Sequence, residues 1–376
     1  MTKVFLNGKF VAQPLTGVQR FASEVVIAAD RLLASGVWRA HVDFVLLIPS
    51  ARTNTALPQL QCIKVQEIPC GRLHPWEQFH LARASGGRLL INLAGSAPLF
   101  KFNQVCTFHD AAVFDFPEAY GWAFVQWYRL LFRVQSAICR RVLTVSEFSK
   151  KRLLKRLNVR DGVIGVVPNG AEHVLRLKQD DSVIEKLQLR NTKYLLAVGS
   201  DNPSKNFKAL VGAFSRLRCY ENVRLVVVGG SNSAVFSRSS SAESLDPRVI
   251  RAGRVTDEQL KSLYKHALAF VFPSLYEGFG IPPLEAMLSG CPVLAARTAS
   301  IPEVCGEAAA YFDPQDEGDM VRVLEFALAN PQSLADLKQA GFERAALFTW
   351  DRAAGNLFDQ LATFGLVEKI LITGNE

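Results

Sequence analysis

The chain has 376 residues, 49% of them hydrophobic, and a formal net charge of +8. That length accommodates two domains of ordinary size, and no apolar run reaches the roughly 18–20 residues needed to span a bilayer. The seven cysteines are scattered without a Cys-x-x-Cys and the six histidines are dispersed, which argues against a disulfide framework and against a zinc site.

The start, Met1-Thr2-Lys3-Val4-Phe5-Leu6-Asn7, reads as a first strand rather than a signal peptide. With cysteines of the reduced, core-packed kind, it points to a cytoplasmic protein. Apolar patterning then predicts strands at 4–6, 42–48, 89–93, 105–108, 142–145 and 163–167, with helices at 19–33, 122–138 and 147–157. The helix over 147–157 carries Lys150, Lys151, Arg152, Lys155 and Arg156 on one face and Leu153, Leu154 and Leu157 on the other. Such a helix is either a solvated face or a patch turned to an anionic membrane. The helical region from 122 holds Trp122, Phe124, Trp127, Tyr128, Leu131 and Phe132 beside Arg129, Arg133, Arg140 and Arg141. It is either packed into the core with basic edges or faces lipid.

Pro168-Asn169-Gly170-Ala171-Glu172-His173 and the polar stretch to Thr192 mark a linker. The alternation then repeats, with strands at 194–198, 223–228, 269–272 and 292–295 and helices at 208–216, 257–266, 282–288 and 319–327. Two such alternations imply two parallel sheets covered by helices, in domains at 1–168 and 169–350. In open parallel sheets ligands bind beyond the carboxyl ends of the strands. Lys205, in the loop after the first strand of the second domain, is therefore placed to neutralise a diphosphate.

The most informative stretch is Pro273-Ser274-Leu275-Tyr276-Glu277-Gly278-Phe279-Gly280-Ile281-Pro282-Pro283-Leu284-Glu285-Ala286-Met287. It reads as a strand end, a tight glycine turn and a helix start. Pro282 or Pro283 suits the first helical position, and Gly290 suits the helix end. Amides near Phe279, Gly280 and Ile281 at a helix N-terminus attract an anion. Glu277 falls on the loop and Glu285 in the first helical turn. The plainer alternative is that Glu285 complements the helix dipole and Glu277 is a solvated acid.

This segment is similar to the Glu-x7-Glu motif of glycosyltransferase family 4 (GT4), retaining glycosyltransferases of the GT-B fold. The blocks 252–260, 289–296 and 300–304 follow that family's order, and the resemblance is most specific over 198–314. It implies an α/β protein with two Rossmann-like domains facing a central cleft. It also implies that a last helix, about 351–376, crosses back onto the first domain. Glu285 would hold the nucleotide ribose. Glu277 would bind sugar hydroxyls and stabilise charge at the anomeric carbon, and Lys205 with the Phe279, Gly280 and Ile281 amides would hold the diphosphate. Gly17, in the turn 14–21, would approach the donor phosphates, and His109, just past a strand end, would lie near the transferred sugar. Many relatives carry an arginine at one of two positions that here are Ser200 and Ser204. Arg254, beside Val255, is the candidate replacement.

Pro75-Trp76-Glu77-Gln78 and Phe116-Pro117-Glu118 resemble blocks of a subgroup that acts on polysaccharide intermediates, with no role legible in the residues themselves. The chain has no Asp-x-Asp, so no metal or other cofactor is expected. The resemblance therefore implies transfer of a hexose, mannose favoured and GDP-mannose the leading donor, to a saccharide or polyprenyl-linked saccharide acceptor in cell-surface polysaccharide biosynthesis. Peripheral contact with the cytoplasmic face of the inner membrane fits that role, and nucleic acid does not. The rival activities are a sugar-nucleotide epimerase or hydrolase and a non-catalytic sugar-nucleotide-binding partner.

Overall fold

The structure is a computed structural model that describes residues 2–50, 59–230 and 246–370. Two parallel sheets organise it. The first runs Lys64–Ile68, Val42–Pro49, Thr2–Asn7, Leu90–Asn92, Gln104–Thr107, Arg141–Thr144, Ile164–Val166. Its central strands are buried on both faces, with Leu46, Leu47, Leu90, Ile91, Val105 and Val142 wholly inaccessible, which is why they read as continuous apolar runs. Phe5 pairs with Val45 on one side and Leu90 on the other. Between Thr2–Asn7 and Leu90–Asn92 the strand order reverses, opening a switch point at the carboxyl ends.

The second sheet runs Val249–Gly253, Val223–Val228, Lys193–Val198, Ala269–Phe272, Val293–Ala296, Ala309–Phe312. Its reversal falls between Lys193–Val198 and Ala269–Phe272, where Leu195 and Leu196 pair with Ala269 and Phe270. In these two sheets, three strands that the patterning did not mark, Lys64–Ile68, Val249–Gly253 and Ala309–Phe312, each form an edge.

The chain divides into two compact units. One comprises Met1–Ala111, Tyr128–Gly170 and Thr349–Glu376, the other Ala112–Trp127 and Ala171–Phe348. The segment 112–127, which the sequence reading leaves in the first domain, packs with the second unit. There Tyr276 Oη donates to Asp115 Oδ2 at 3.2 Å.

Helix Trp350–Ala362 belongs to the first unit and lies against helix Gly17–Ala34. It buries Trp350, Ala353, Ala354, Leu357, Phe358 and Leu361, one stripe at helical spacing. Thr349 caps its start, accepting from the Arg352 amide at 3.1 Å, and Arg31 Nε donates to Asp351 at 3.0 Å. Residues 371–376 of the expected terminal segment lie outside the described residues. Helix Glu147–Leu157 buries Leu153 and exposes Lys151, Lys155 and Arg156. No helix among the described residues is long and apolar enough to cross a membrane.

Trp350 has no accessible surface and its ring meets Phe21 edge-on at 6.4 Å. Trp350→Ala should therefore cost about 3–5 kcal/mol, read as a lower urea midpoint with an unchanged slope.

Candidate active site

The switch point of the second sheet carries a cluster built by two loops. Strand Lys193–Val198 ends at Gly199, and Asn202 Oδ1 then accepts from the Ser204 amide at 2.9 Å, starting a tight turn at Pro203–Lys205. The other loop leaves strand Ala269–Phe272. Leu275 N donates to Ser204 O at 2.7 Å and staples the two together. Beyond the staple, Lys205 Nζ donates to Glu277 Oε1 at 2.6 Å. The two side chains are 22% and 13% exposed, so each charge is partly desolvated yet open to a ligand. The same ammonium lies 5.8 Å from the centre of the Phe272 ring.

Glycines pave the floor beside this pair. A Cβ at Gly199 would come within 3.2 Å of Lys205 Cγ, and one at Gly230 within 2.8 Å of Arg254 Nε. Gly229 has φ +148°, and a Cβ there would stand 1.6 Å from Gly199 O. Without side chains at these points, Lys205 and the exposed Arg254 lie over neighbouring strand ends. Ser200 and Val255 are half-buried, and the Ser200 hydroxyl has no hydrogen-bond partner among the described residues.

Helix Ile281–Leu288 starts from Gly280, whose φ of 104° is left-handed. A helix start leaves four N–H groups unsatisfied, and Pro282 and Pro283 remove two of them. The Gly280 and Ile281 amides are left, preceded by that of Phe279. None of the three has a partner among the described residues. The loop carbonyls are drawn elsewhere, since Ser300 Oγ lies 2.9 Å from both Glu277 O and Phe279 O. Gly290, with φ 75°, closes the helix as expected.

Glu285 corrects the sequence reading. Ile281 is the first helical residue, so Glu285 is the fifth, beyond the first turn where the dipole would favour it. Its partners come from elsewhere. Oε1 lies 2.9 Å from His173 Nε2, and Tyr264 Oη donates to Oε2 at 3.4 Å. Burial, reinforced by the Glu285 charge, raises the Tyr264 phenol and keeps it a donor.

In the first unit, His109 follows strand Gln104–Thr107, with Nε2 2.9 Å from Leu93 O. A carbonyl only accepts, so Nε2 carries the proton and Nδ1 presents a lone pair. Burial lowers this imidazole to about 4, with the Leu93 bond opposing the shift, so the ring is neutral at neutral pH. Phe21 packs edge-on at 5.0 Å. Gly95 runs close by, where a Cβ would meet His109 Cδ2 at 3.7 Å and Val18 Cγ1 at 3.8 Å. Gly17 opens helix Gly17–Ala34 without a left-handed backbone.

The first sheet's switch point is filled from within. Asn7 Nδ2 donates to Asn92 Oδ1 at 3.0 Å and Glu77 Oε1 at 3.1 Å, and Lys9 Nζ donates to Glu77 Oε2 at 2.8 Å. Ser96 Oγ donates to Glu77 Oε1 at 2.9 Å. Lys9 and Glu77 are 2% and 1% exposed, a buried pair held by full hydrogen bonding. Glu77 sits on a π-helical turn, Trp76–Leu81. The unexplained Trp76-Glu77-Gln78 block therefore has a structural role, plugging this crevice and holding the loop around Ser96.

Two family models match the chain. One, for glycosyl transferases group 1, covers residues 179–344, and one for glycosyltransferase family 4 covers 79–174. O-antigen chain mannosyltransferase B of Escherichia coli is 30% identical over 370 residues, 93% of this chain and 96% of that protein. The chain belongs to glycosyltransferase family 4. Its fold matches a sucrose-phosphate synthase from Thermosynechococcus elongatus with a TM-score of 0.72 at 22% identity, over 97% of this chain and 100% of that one. It also matches HepE of Anabaena in complex with UDP and glucose, with a TM-score of 0.69 at 17% identity, over 96% of this chain and 100% of that one. The architecture is thus the GT-B fold, and the protein is a glycosyltransferase.

For this glycosyltransferase, the structure brings Lys205 together with Glu277, and Glu285 together with His173 and Tyr264. Sequence reasoning treated His173 as part of a linker and passed over Gly229 and Gly230. A Gly-Gly directly after a buried strand was the available signal for the latter pair.

The neutral His109 has a consequence for stability. Its native value, about 4, lies below the ordinary 6.5, so protonation favours the unfolded chain as pH falls. The stability it contributes is full above pH 6.5 and is lost toward pH 4. Thermal unfolding across this range should show a steeper loss for the wild type than for His109→Gln.

Proposed function

We propose that this glycosyltransferase acts with retention, moving a hexose from a nucleoside-diphosphate sugar to a saccharide or lipid-linked saccharide in polysaccharide assembly. Mannose is the favoured sugar, supported by the O-antigen mannosyltransferase relative. The observation that carries the site assignment is the Lys205–Glu277 pair across the second switch point. A diphosphate entering there meets the Lys205 ammonium and the partnerless amides of Phe279, Gly280 and Ile281, with Arg254 along the same floor. As the anion shares the ammonium, the Glu277 carboxylate becomes available to sugar hydroxyls and to positive charge developing at the anomeric carbon.

Glu285 is held in place by His173 and Tyr264, with its carboxylate on helix Ile281–Leu288. A carboxylate is an acceptor-only group suited to ribose hydroxyls, the role the family likeness implies for it. His109 is the first unit's candidate for the reaction centre, as the family likeness implies. Front-face attack, with the leaving phosphate taking the acceptor proton, fits a site whose charged groups serve the diphosphate. Cations and amides supply the neutralisation in this reading, and no metal is required.

Released nucleotide should be measured with several donors, GDP-mannose among them, with and without a saccharide acceptor. Transfer is expected only with acceptor, with the product's anomeric configuration matching the donor's and with turnover unaffected by EDTA. Lys205→Ala and Glu277→Ala should each lower kcat/KM about 10²–10³-fold while remaining folded. Full turnover in either variant would remove the site assignment, and nucleotide release without acceptor would make the enzyme a hydrolase.

A further inference from the structure

One edge of the first unit carries a surface outside the site residues described above. Phe79 is 72% exposed, Phe100 83% and Phe102 69%. They form one patch because the loop bearing Phe100 and Phe102 is tied along the helical segment that bears Phe79. Leu99 N donates to Gln78 Oε1 at 2.8 Å, Lys101 Nζ to Gly86 O at 2.6 Å, and Asn103 Nδ2 to Gly87 O at 2.8 Å. Lys101 is 6% exposed. It turns inward while the phenylalanines on either side of it turn outward.

Within the sequence that carries these phenylalanines, the exposed charges downstream of strand Lys64–Ile68 are cationic. Glu77 is the sole acid in the sequence between Ile68 and His109, and it is buried against Lys9. Arg72, Arg83 and Arg88 are exposed in the same stretch, and Arg140 Nη1 donates to Asn103 Oδ1 at 3.5 Å. Large apolar side chains on a stretch whose exposed charges are all cationic between residues 69 and 108 match a medium that is anionic at its surface and apolar beneath. A nucleic acid would meet the charges. Phenylalanines this exposed project from the surface, however, rather than lining a groove that a strand could follow.

We infer that this edge inserts into the headgroup layer of an anionic bilayer, in place of the basic helix Glu147–Leu157. The inference rests on the proposed function only through the lipid-linked acceptor, which would put the bilayer where the enzyme works. The phenylalanines enter the interface, and the arginines around them meet lipid phosphates.

The test is sedimentation of the full chain with vesicles of phosphatidylglycerol and phosphatidylcholine, and with phosphatidylcholine alone. The chain should pellet with the anionic vesicles only. The triple variant Phe79→Ser, Phe100→Ser, Phe102→Ser should bind about tenfold more weakly, with an unchanged melting temperature and unchanged transfer to a water-soluble acceptor. Charge reversal at Arg83 and Arg88 should weaken binding more than charge reversal at Lys151 and Lys155. Wild-type binding by the triple variant, equal binding to neutral vesicles, or the opposite order of the charge variants would overturn the inference. So would absence of vesicle binding with the phenylalanines instead holding a dimer or an oligonucleotide. Pelleting needs no catalysis, so a chain that binds vesicles but transfers no sugar would sink the proposed function and leave this surface standing.

Discussion

The constraint on which the site depends is the reversal of strand order in each sheet. It forces two adjacent strands to send their following loops apart, and the gap between them must be filled by something. In the second sheet the gap is bridged by Lys205 and Glu277, two charges held 2.6 Å apart with part of their surface still in water. In the first sheet the same gap holds Lys9 and Glu77 at 2.8 Å, almost completely enclosed and hydrogen-bonded by Asn7 and Ser96. The chemistry of the two pairs is the same and their accessibility is not. A sealed pair is structural, because exposing either charge alone would be costly. An open pair can exchange one partner for a ligand, and that difference is what supports the proposed donor site in the second unit.

Much of this was legible in the sequence. Strands such as Val223–Val228 and Ala269–Phe272 are buried on both faces and declare themselves as apolar runs. The strands that went unread are edges. Lys64–Ile68 exposes Lys64, Val65, Gln66 and Glu67, so no periodicity distinguishes it from a loop. Val249–Gly253 buries none of its residues and failed for the same reason. At the site, the motif gave the identities of Glu277, Glu285 and Lys205 but not their pairing. Lys205 and Glu277 are 72 residues apart, and His173 and Glu285 are 112 apart. Only the folded sheet makes them neighbours. The error over Glu285 was one of register: with Ile281 rather than a proline as the first helical residue, the acid moves out of the dipole's reach and into that of His173.

The serines at 200 and 204 look less anomalous beside the glycine floor. Ser204 is buried, and its carbonyl is committed to the staple with Leu275. Arg254 extends instead from the neighbouring edge strand across Gly230. Positive charge is thus spread along the strand ends rather than stacked in one loop. The proline pair has a related effect on the helix start. It halves the number of free amides, so those that are left are few and fixed in direction.

The tautomer of His109 reaches further than its effect on stability. Its proton is spent on Leu93 O, and the other nitrogen offers only electrons. Phosphate oxygens are also rich in electrons, so the bare nitrogen accepts only from a partner that brings a hydrogen. A sugar hydroxyl meets that condition, and a deoxy position does not. A single backbone carbonyl thus fixes which nitrogen is bare, and in the proposed reaction it would let His109 sense one sugar hydroxyl without any charge of its own.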